Sequence, residues 1–151
     1  MNADRRLTVT VRPTRDEAEI QAALDLRVEV FCDEQGVPRD LEFDELDATS
    51  TQIVALDESG VIATCRLRSP EPGRCKLERM VVKREVRKLG VGGQLLARAE
   101  REAREHGTEI MVLNAQVTAE PFYASHGYRP EGERFVEAGI EHIRMTKGLD
   151  G

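Results

Sequence analysis

An α/β fold is what this sequence predicts: a mixed, mostly antiparallel sheet flanked by helices, in the order β-α-β-β-β-α-β-α-β-β. Three observations predict it. Apolar residues recur at every second position in several short runs and at every third or fourth in the longer ones. Three strand-like runs joined by turn residues sit between the two longest helical ones. Helices and strands mixed along one chain of 151 residues pack as layers around a single sheet.

Leu7, Val9 and Val11 alternate with Thr8, Thr10 and Arg12, the period of a half-buried first strand that Pro13 ends. Thr14-Arg15-Asp16-Glu17 has the form of a capping box, which places a helix start there. Ile20, Ala23, Leu24, Val28 and Phe31 continue at helical spacing until Gly36 and Pro38 stop the helix. Arg39 to Ser50 is acidic and aperiodic, a surface loop. A meander follows, with strands over Thr51–Leu56, Val61–Arg68 and Cys75–Val82 and turn residues between them. Val91, Leu95, Ala99 and Ala103, with Leu96 beside them, mark a long helix that Gly107 closes. Ile110-Met111-Val112-Leu113 reads as a strand buried on both faces. Thr118 to His126 is a short helix closed by Gly127. Tyr128–Val136 and Ile140–Lys147 form a hairpin around Glu137-Ala138-Gly139.

The length suits a single domain over residues 1–151, long enough to bury a core without staples. A net charge of −6 disfavours nucleic acid, which needs clustered Lys and Arg, and mildly attracts a cationic substrate. No run approaches the ~20 apolar residues of a membrane span. The first residues carry no secretory signal pattern. Cys32, Cys65 and Cys75 are odd in number and lack metal-ligand spacing, so a reduced cytoplasmic setting without a bound metal is expected.

The chemistry-bearing segment is Arg87-Lys88-Leu89-Gly90-Val91-Gly92-Gly93, between a strand and the long helix. Glycines let backbone amides approach a ligand, and the first helical turn leaves its N–H groups unpaired. Such a turn suits a pyrophosphate, although a glycine-softened helix start would read the same way. No Gly-Lys-Ser/Thr follows, which excludes a Walker loop, and Leu95 stands where a dinucleotide fingerprint needs its third glycine.

With the strand Leu77-Glu78-Arg79-Met80-Val81-Val82 before it, Arg87-x-x-Gly90-x-Gly92 resembles the acetyl-CoA signature of the GNAT acetyltransferase superfamily. Gln116-x-x-Ala119-x-x-Phe122-Tyr123, then Gly127-Tyr128, resembles that superfamily's second motif, with Gln116 in place of its usual Asn. Leu26-Arg27-x-x-Val30-Phe31-x-x-Glu34-Gln35-x-Val37-Pro38 resembles the opening of the ElaA-like and YjcF-like branch. Glu42-x-Asp44-x-x-Asp47 and Gly139-Ile140-Glu141-His142-Ile143-x-Met145 agree with it.

The resemblance implies an N-acetyltransferase that takes acetyl-CoA as cosubstrate and passes the acetyl group directly to a small-molecule or peptide amine. Amides of Arg87, Lys88, Leu89, Gly90, Val91, Gly92 and Gly93 would hold the pyrophosphate. The backbone of Met80, Val81 and Val82 would pair with the pantetheine arm, beside Gln116 and Tyr123. Tyr123 is the expected proton donor to the departing thiolate, since phenol and thiol titrate within reach of each other. Glu78 is the expected base or amine anchor. Strand alternation puts it on one face with Lys76 and Met80, opposite Arg79 and Val81. Arg79 is expected to pair with a carboxylate such as Glu34. Glu34, Glu42, Asp44 and Asp47 would line the acceptor groove or simply be solvated.

His106 and His126 precede helix-stopping glycines, and His142 lies near where the superfamily binds acceptors. No catalytic triad or acyl-cysteine is indicated. Two other readings stay open: a non-catalytic acyl-CoA-binding regulatory module, and an enzyme like the acyl-homoserine-lactone synthases. A homodimer, the acyl length and the acceptor are left open too.

Overall fold

The computed structural model describes residues 8–39 and 45–149. The expectations for Leu7, Glu42 and Asp44 lie outside the described residues. Strand β1 (Thr10–Pro13) leads to helix α1 (Glu17–Arg27), and a π-helical turn continues it over Val28–Glu34. Strands β2 (Thr51–Asp57), β3 (Gly60–Glu71) and β4 (Arg74–Val82) form the meander. Helix α2 (Val91–Glu105), β5 (Ile110–Gln116) and α3 (Glu120–Ser125) follow. The chain closes with β6 (Arg129–Pro130), β7 (Phe135–Glu137) and β8 (Ile140–Gly148). All eight strands share one sheet in the order β1-β2-β3-β4-β5-β8-β6, with β7 also on β8. The fold is the predicted mixed α/β one, and its β4–β5 pair is the parallel one.

Of the boundaries that differ from the sequence reading, two have a local cause. Helix α1 is capped by Asp16, whose carboxylate accepts from the Glu19 amide at 2.9 Å, and not by Thr14. Glu19 in turn accepts from the Arg15 amide at 2.8 Å and from both ends of the Arg12 guanidinium at 2.7 Å. Aspartate is among the strongest N-caps, and the acid three residues on holds the amide just before the cap instead of the cap's own. The strand expected over Tyr128–Val136 is broken in two, because Gly132 turns the chain at φ +84°. Both pieces still pair along the outer edge of β8.

The α2 side of the sheet carries the main core. Val91, Leu95, Leu96, Ala99 and Ala103 of α2 bury against Ala63, Cys65, Leu67, Cys75, Leu77, Met111 and Leu113. On the other side Leu26 and Val30 pack on Val81. Within the main core, Glu100 of α2 accepts from the Tyr128 hydroxyl at 2.8 Å and from Lys147 at 2.9 Å, which satisfies its buried carboxylate.

Candidate active site

The sheet opens at its centre. Parallel pairing of β4 with β5 runs only from Arg74–Leu77 against Ile110–Leu113. Beyond it β4 continues to Val82 and β5 to Gln116, but the two are no longer partners. Each strand therefore turns an edge without a partner strand to the gap, a ready template for an extended ligand. A cavity of about 320 Å³ occupies the gap, walled also by the π-helical turn and the β7–β8 hairpin.

A bulge in β4 decides which side chains face which way. Thr64 lies opposite Val81 and Arg66 opposite Glu78, so Arg79 and Met80 together oppose Cys65 alone. Arg79 takes φ 56°, a conformation that non-glycine residues seldom adopt and that clusters at functional sites. The extra residue reverses the alternation. Before the bulge, Cys75 and Leu77 face α2. After it, Met80 and Val82 face α2 while Val81 faces α1. The expected grouping of Glu78 with Met80 is thus overturned: they stand on opposite faces.

Tyr123 reaches the slot from the α2 side. It is 8% exposed, stacks edge-on with Phe122 and Tyr128, and donates to the Met80 sulfur at 3.4 Å. Burial pushes its phenol well above the usual range, so it stays protonated at any physiological pH.

The glycine loop starts α2 as expected. Gly90 sits at φ +84° and Lys88 at φ 68°, and no side chain caps the first turn. An added Cβ at Gly90 would meet nothing within 4 Å, so the space over the loop is open to a ligand. Gly92 and Gly93 have a second task. A Cβ on Gly92 would lie 3.4 Å from Phe122, and one on Gly93 3.2 Å from His126, so both let α3 approach α2 closely.

Arg87 is anchored rather than free. It makes two 3.0 Å contacts with the Glu34 carboxylate, and its Nε donates to the Val82 carbonyl at 2.8 Å. Glu34 therefore pairs with Arg87, and with Arg84 at 3.6 Å, where Arg79 was expected. The loop is tied to the end of the π-helical turn.

Glu78 faces the cavity in a chain of ion pairs. It accepts from Arg66 and Arg68 at 2.8 Å each and lies 3.4 Å from Lys76. Burial alone would raise its carboxyl, but those hydrogen bonds outweigh it and hold it at about 2. A carboxylate so stabilised is a poor proton acceptor at neutral pH. Asp47, expected in the acceptor groove, bridges the fully buried Arg27 at 2.6 Å and Arg66 at 3.0 Å. Sequence reasoning did not foresee these buried arginines, for a single Arg in a strand carries no mark of its partners.

Two more polar groups close the slot on the α1 side. The Gln116 side-chain amide donates to the Gln35 side-chain oxygen Oε1 at 2.8 Å, which bridges β5 to the turn. His142 of β8 lies opposite Gln116 in the ladder, 8% exposed, with its ring stacked on Phe135 at 5.8 Å. Its Nδ1 lies 2.7 Å from the Ile140 carbonyl oxygen.

Residues 13–149 match the family model described as an acetyltransferase (GNAT) domain. The chain belongs to the GNAT acetyltransferase family. It is 40% identical over 134 residues to the uncharacterized N-acetyltransferase YjcF of Bacillus subtilis, covering 88% of this chain and 95% of that one. The crystal structure of Escherichia coli ElaA superposes with TM-score 0.81 at 25% identity, over 93% of this chain and 99% of that one. Both relatives fall in the branch that the N-terminal motif indicates. A GNAT family acetyltransferase from Elizabethkingia anophelis, solved with acetyl-CoA bound, shares the fold with TM-score 0.74 at 18% identity, over 93% of this chain and 98% of that one.

Proposed function

We propose that this GNAT acyltransferase is an acetyl-CoA-dependent N-acetyltransferase that passes acetyl to a primary amine directly, within a ternary complex. The unzipped β4–β5 edge carries the reading: an extended arm can lie there beside the open glycine loop, with the Tyr123 phenol at its wall. The acetyl-CoA-bound structure from Elizabethkingia anophelis supports the cosubstrate. Two buried free cysteines and a third that is half-buried suit a reducing, cytoplasmic setting.

Bound acetyl-CoA supplies the activated acetyl carbonyl. Amides from Arg87 to Gly93 take the pyrophosphate at the positive end of α2. Backbone groups of Met80 and Val81 and the Val82 N–H, whose carbonyl Arg87 already holds, pair with the amide-bearing arm, and Gln116 offers its side-chain amide across the slot. At the bulge, the Met80 N–H can hold the developing oxyanion. Tyr123 donates the proton that the departing sulfur needs, and the same dry slot raises thiol and phenol together. Glu78 balances the charge of Arg66, Arg68 and Lys76 rather than moving a proton.

Calorimetric titration with acetyl-CoA, with adenosine as control, tests the cofactor half. Micromolar binding of acetyl-CoA and none of adenosine supports the reading. A screen of polyamines, amino sugars, amino acids and peptides for CoA thiol release tests the transfer half. Absence of acetyl-CoA binding would return the glycine loop to a plain helix start.

A further inference from the structure

The two faces of the slot carry different chemistry. Tyr123 stands on the α2 face with Met80 and Val82. On β5, Leu113 and Ala115 belong to the α2-side core, and on β8 so do Ile143 and Met145. Alternation then turns Gln116 and His142 to the α1 face, where they join Glu78 on the cavity wall. An acceptor entering from the α1 side meets His142, while the leaving sulfur on the other side meets Tyr123.

The imidazole is held in one state. A carbonyl oxygen can only accept, so the 2.7 Å contact to Ile140 requires a proton on Nδ1. The neutral ring then has a bare Nε2. Stacking on Phe135 with a 21° tilt fixes the ring plane. Glu78, a carboxylate on this face of the slot, holds its proton only near pH 2 and cannot take one from an amine.

We propose that His142 is the general base of the transfer, accepting at Nε2 the proton of the acceptor ammonium; this rests on the acetyltransferase reading above. Two protons leave the ammonium nitrogen as it bonds to the acetyl carbon and the C–S bond breaks. His142 passes the first to solvent. The second replaces the proton that Tyr123 gives to the sulfur, so the products are amide, free thiol and one released proton. The charged and titratable groups that share the cavity with His142 are Lys76, Glu78, Arg79 and Arg87 from β4 and its loop, Glu137 from β7, and Tyr123. The wall segments of β5 and the π-helical turn add uncharged groups there.

The test compares wild type with His142→Gln and His142→Asn, using benzylamine, an ammonium ion at neutral pH, and hydroxylamine, which is mostly neutral there. With benzylamine the variants are expected to lose about 100-fold in kcat/KM. The acid limb of their pH profile should move up by about one unit or more, toward the ionisation of the amine itself. With hydroxylamine the loss should be under about tenfold, since no ammonium proton needs a base. Equal losses for both amines, or an unmoved acid limb, would overturn the base. Acetyl-CoA calorimetry separates the failures: no binding by wild type removes the acetyltransferase reading and the base with it, whereas binding with an unmoved profile removes only the base. Nitrogen-15 spectra decide without any acceptor, since a protonated Nε2 on neutral His142 is incompatible with the proposal.

Discussion

The phenol of Tyr123 donates to the thioether sulfur of Met80 at 3.4 Å, so a buried hydroxyl on the α2 side of the slot already points at a sulfur atom. A thioester sulfur in the same slot would find a donor held in place by Phe122 and Tyr128. Tyr123→Phe keeps the ring and removes only that donor. It is expected to lower turnover by about tenfold or more while acetyl-CoA affinity stays unchanged. CoA thiol release and calorimetry read the two effects apart.

The Glu34–Arg87 pair couples the glycine loop to the π-helical turn. Partly exposed bidentate pairs contribute about 0.5–1 kcal/mol, so Glu34→Ala should weaken acetyl-CoA binding roughly two- to fivefold. Arg87→Ala should cost more, because it also loses its bond to the Val82 carbonyl. The double variant should be no worse than Arg87→Ala alone, and additive losses in a calorimetric cycle would refute the coupling.

Glycine substitutions in the loop should divide into two kinds. Gly90→Glu has open space for its side chain, at a backbone cost of about 1 kcal/mol for the positive φ. It should abolish acetyl-CoA binding and leave the circular dichroism spectrum intact. Gly93→Ala pushes on His126 at 3.2 Å and should lower Tm by about 3 °C. Adding His126→Ala should restore most of that loss, which a purely cofactor-binding glycine would not show.

Glu78 sets a pH dependence of stability. Its folded carboxyl is held at about 2, below the unfolded value near 4.3, so the folded state favours the ionised form. That stabilisation is complete above the unfolded value and fades as pH falls toward 2. Glu78→Gln leaves Arg66, 1% exposed, short of one carboxylate. The expected cost is about 2 kcal/mol at pH 7, below that of a fully buried pair because Glu78 fronts the cavity. Denaturant unfolding at pH 7, 4 and 2.5 should show the gap between wild type and variant closing as pH drops; a constant gap would argue against the network.

The parts legible in the sequence were those that follow from local pattern. The spacing of Val91, Leu95, Ala99 and Ala103 gives α2 and its buried face directly, and a glycine at φ +84° starts that helix where the motif put it. The bulge at Arg79 was not legible, since no glycine marks it and the register of β3 imposes it from across the ladder. The face assignments of Met80 and Val81 failed for that one reason. Ion pairs such as Glu34–Arg87, 53 positions apart, depend on tertiary placement that single-residue charge does not encode. The weight of His142 was missed likewise, because its Nδ1 partner and stacking ring come from the hairpin's geometry.

The one-residue insertion in β4 also constrains how this family branch can drift. Removing a residue between Glu78 and Val81 would leave both opposite Arg66 and Thr64, on the faces they now hold, but would erase the bulge and its positive-φ residue from the cavity wall. The strand therefore tolerates exchange of side chains far better than any change in their number. On the proposed reading, acceptor preference can evolve through Gln116, His142 and the hairpin on one face without disturbing the wall that would receive the thioester on the other. Insertions and deletions that retune substrate choice should accordingly collect in the segment before β2 and in the β7–β8 hairpin, and spare the stretch from Glu78 to Gly93.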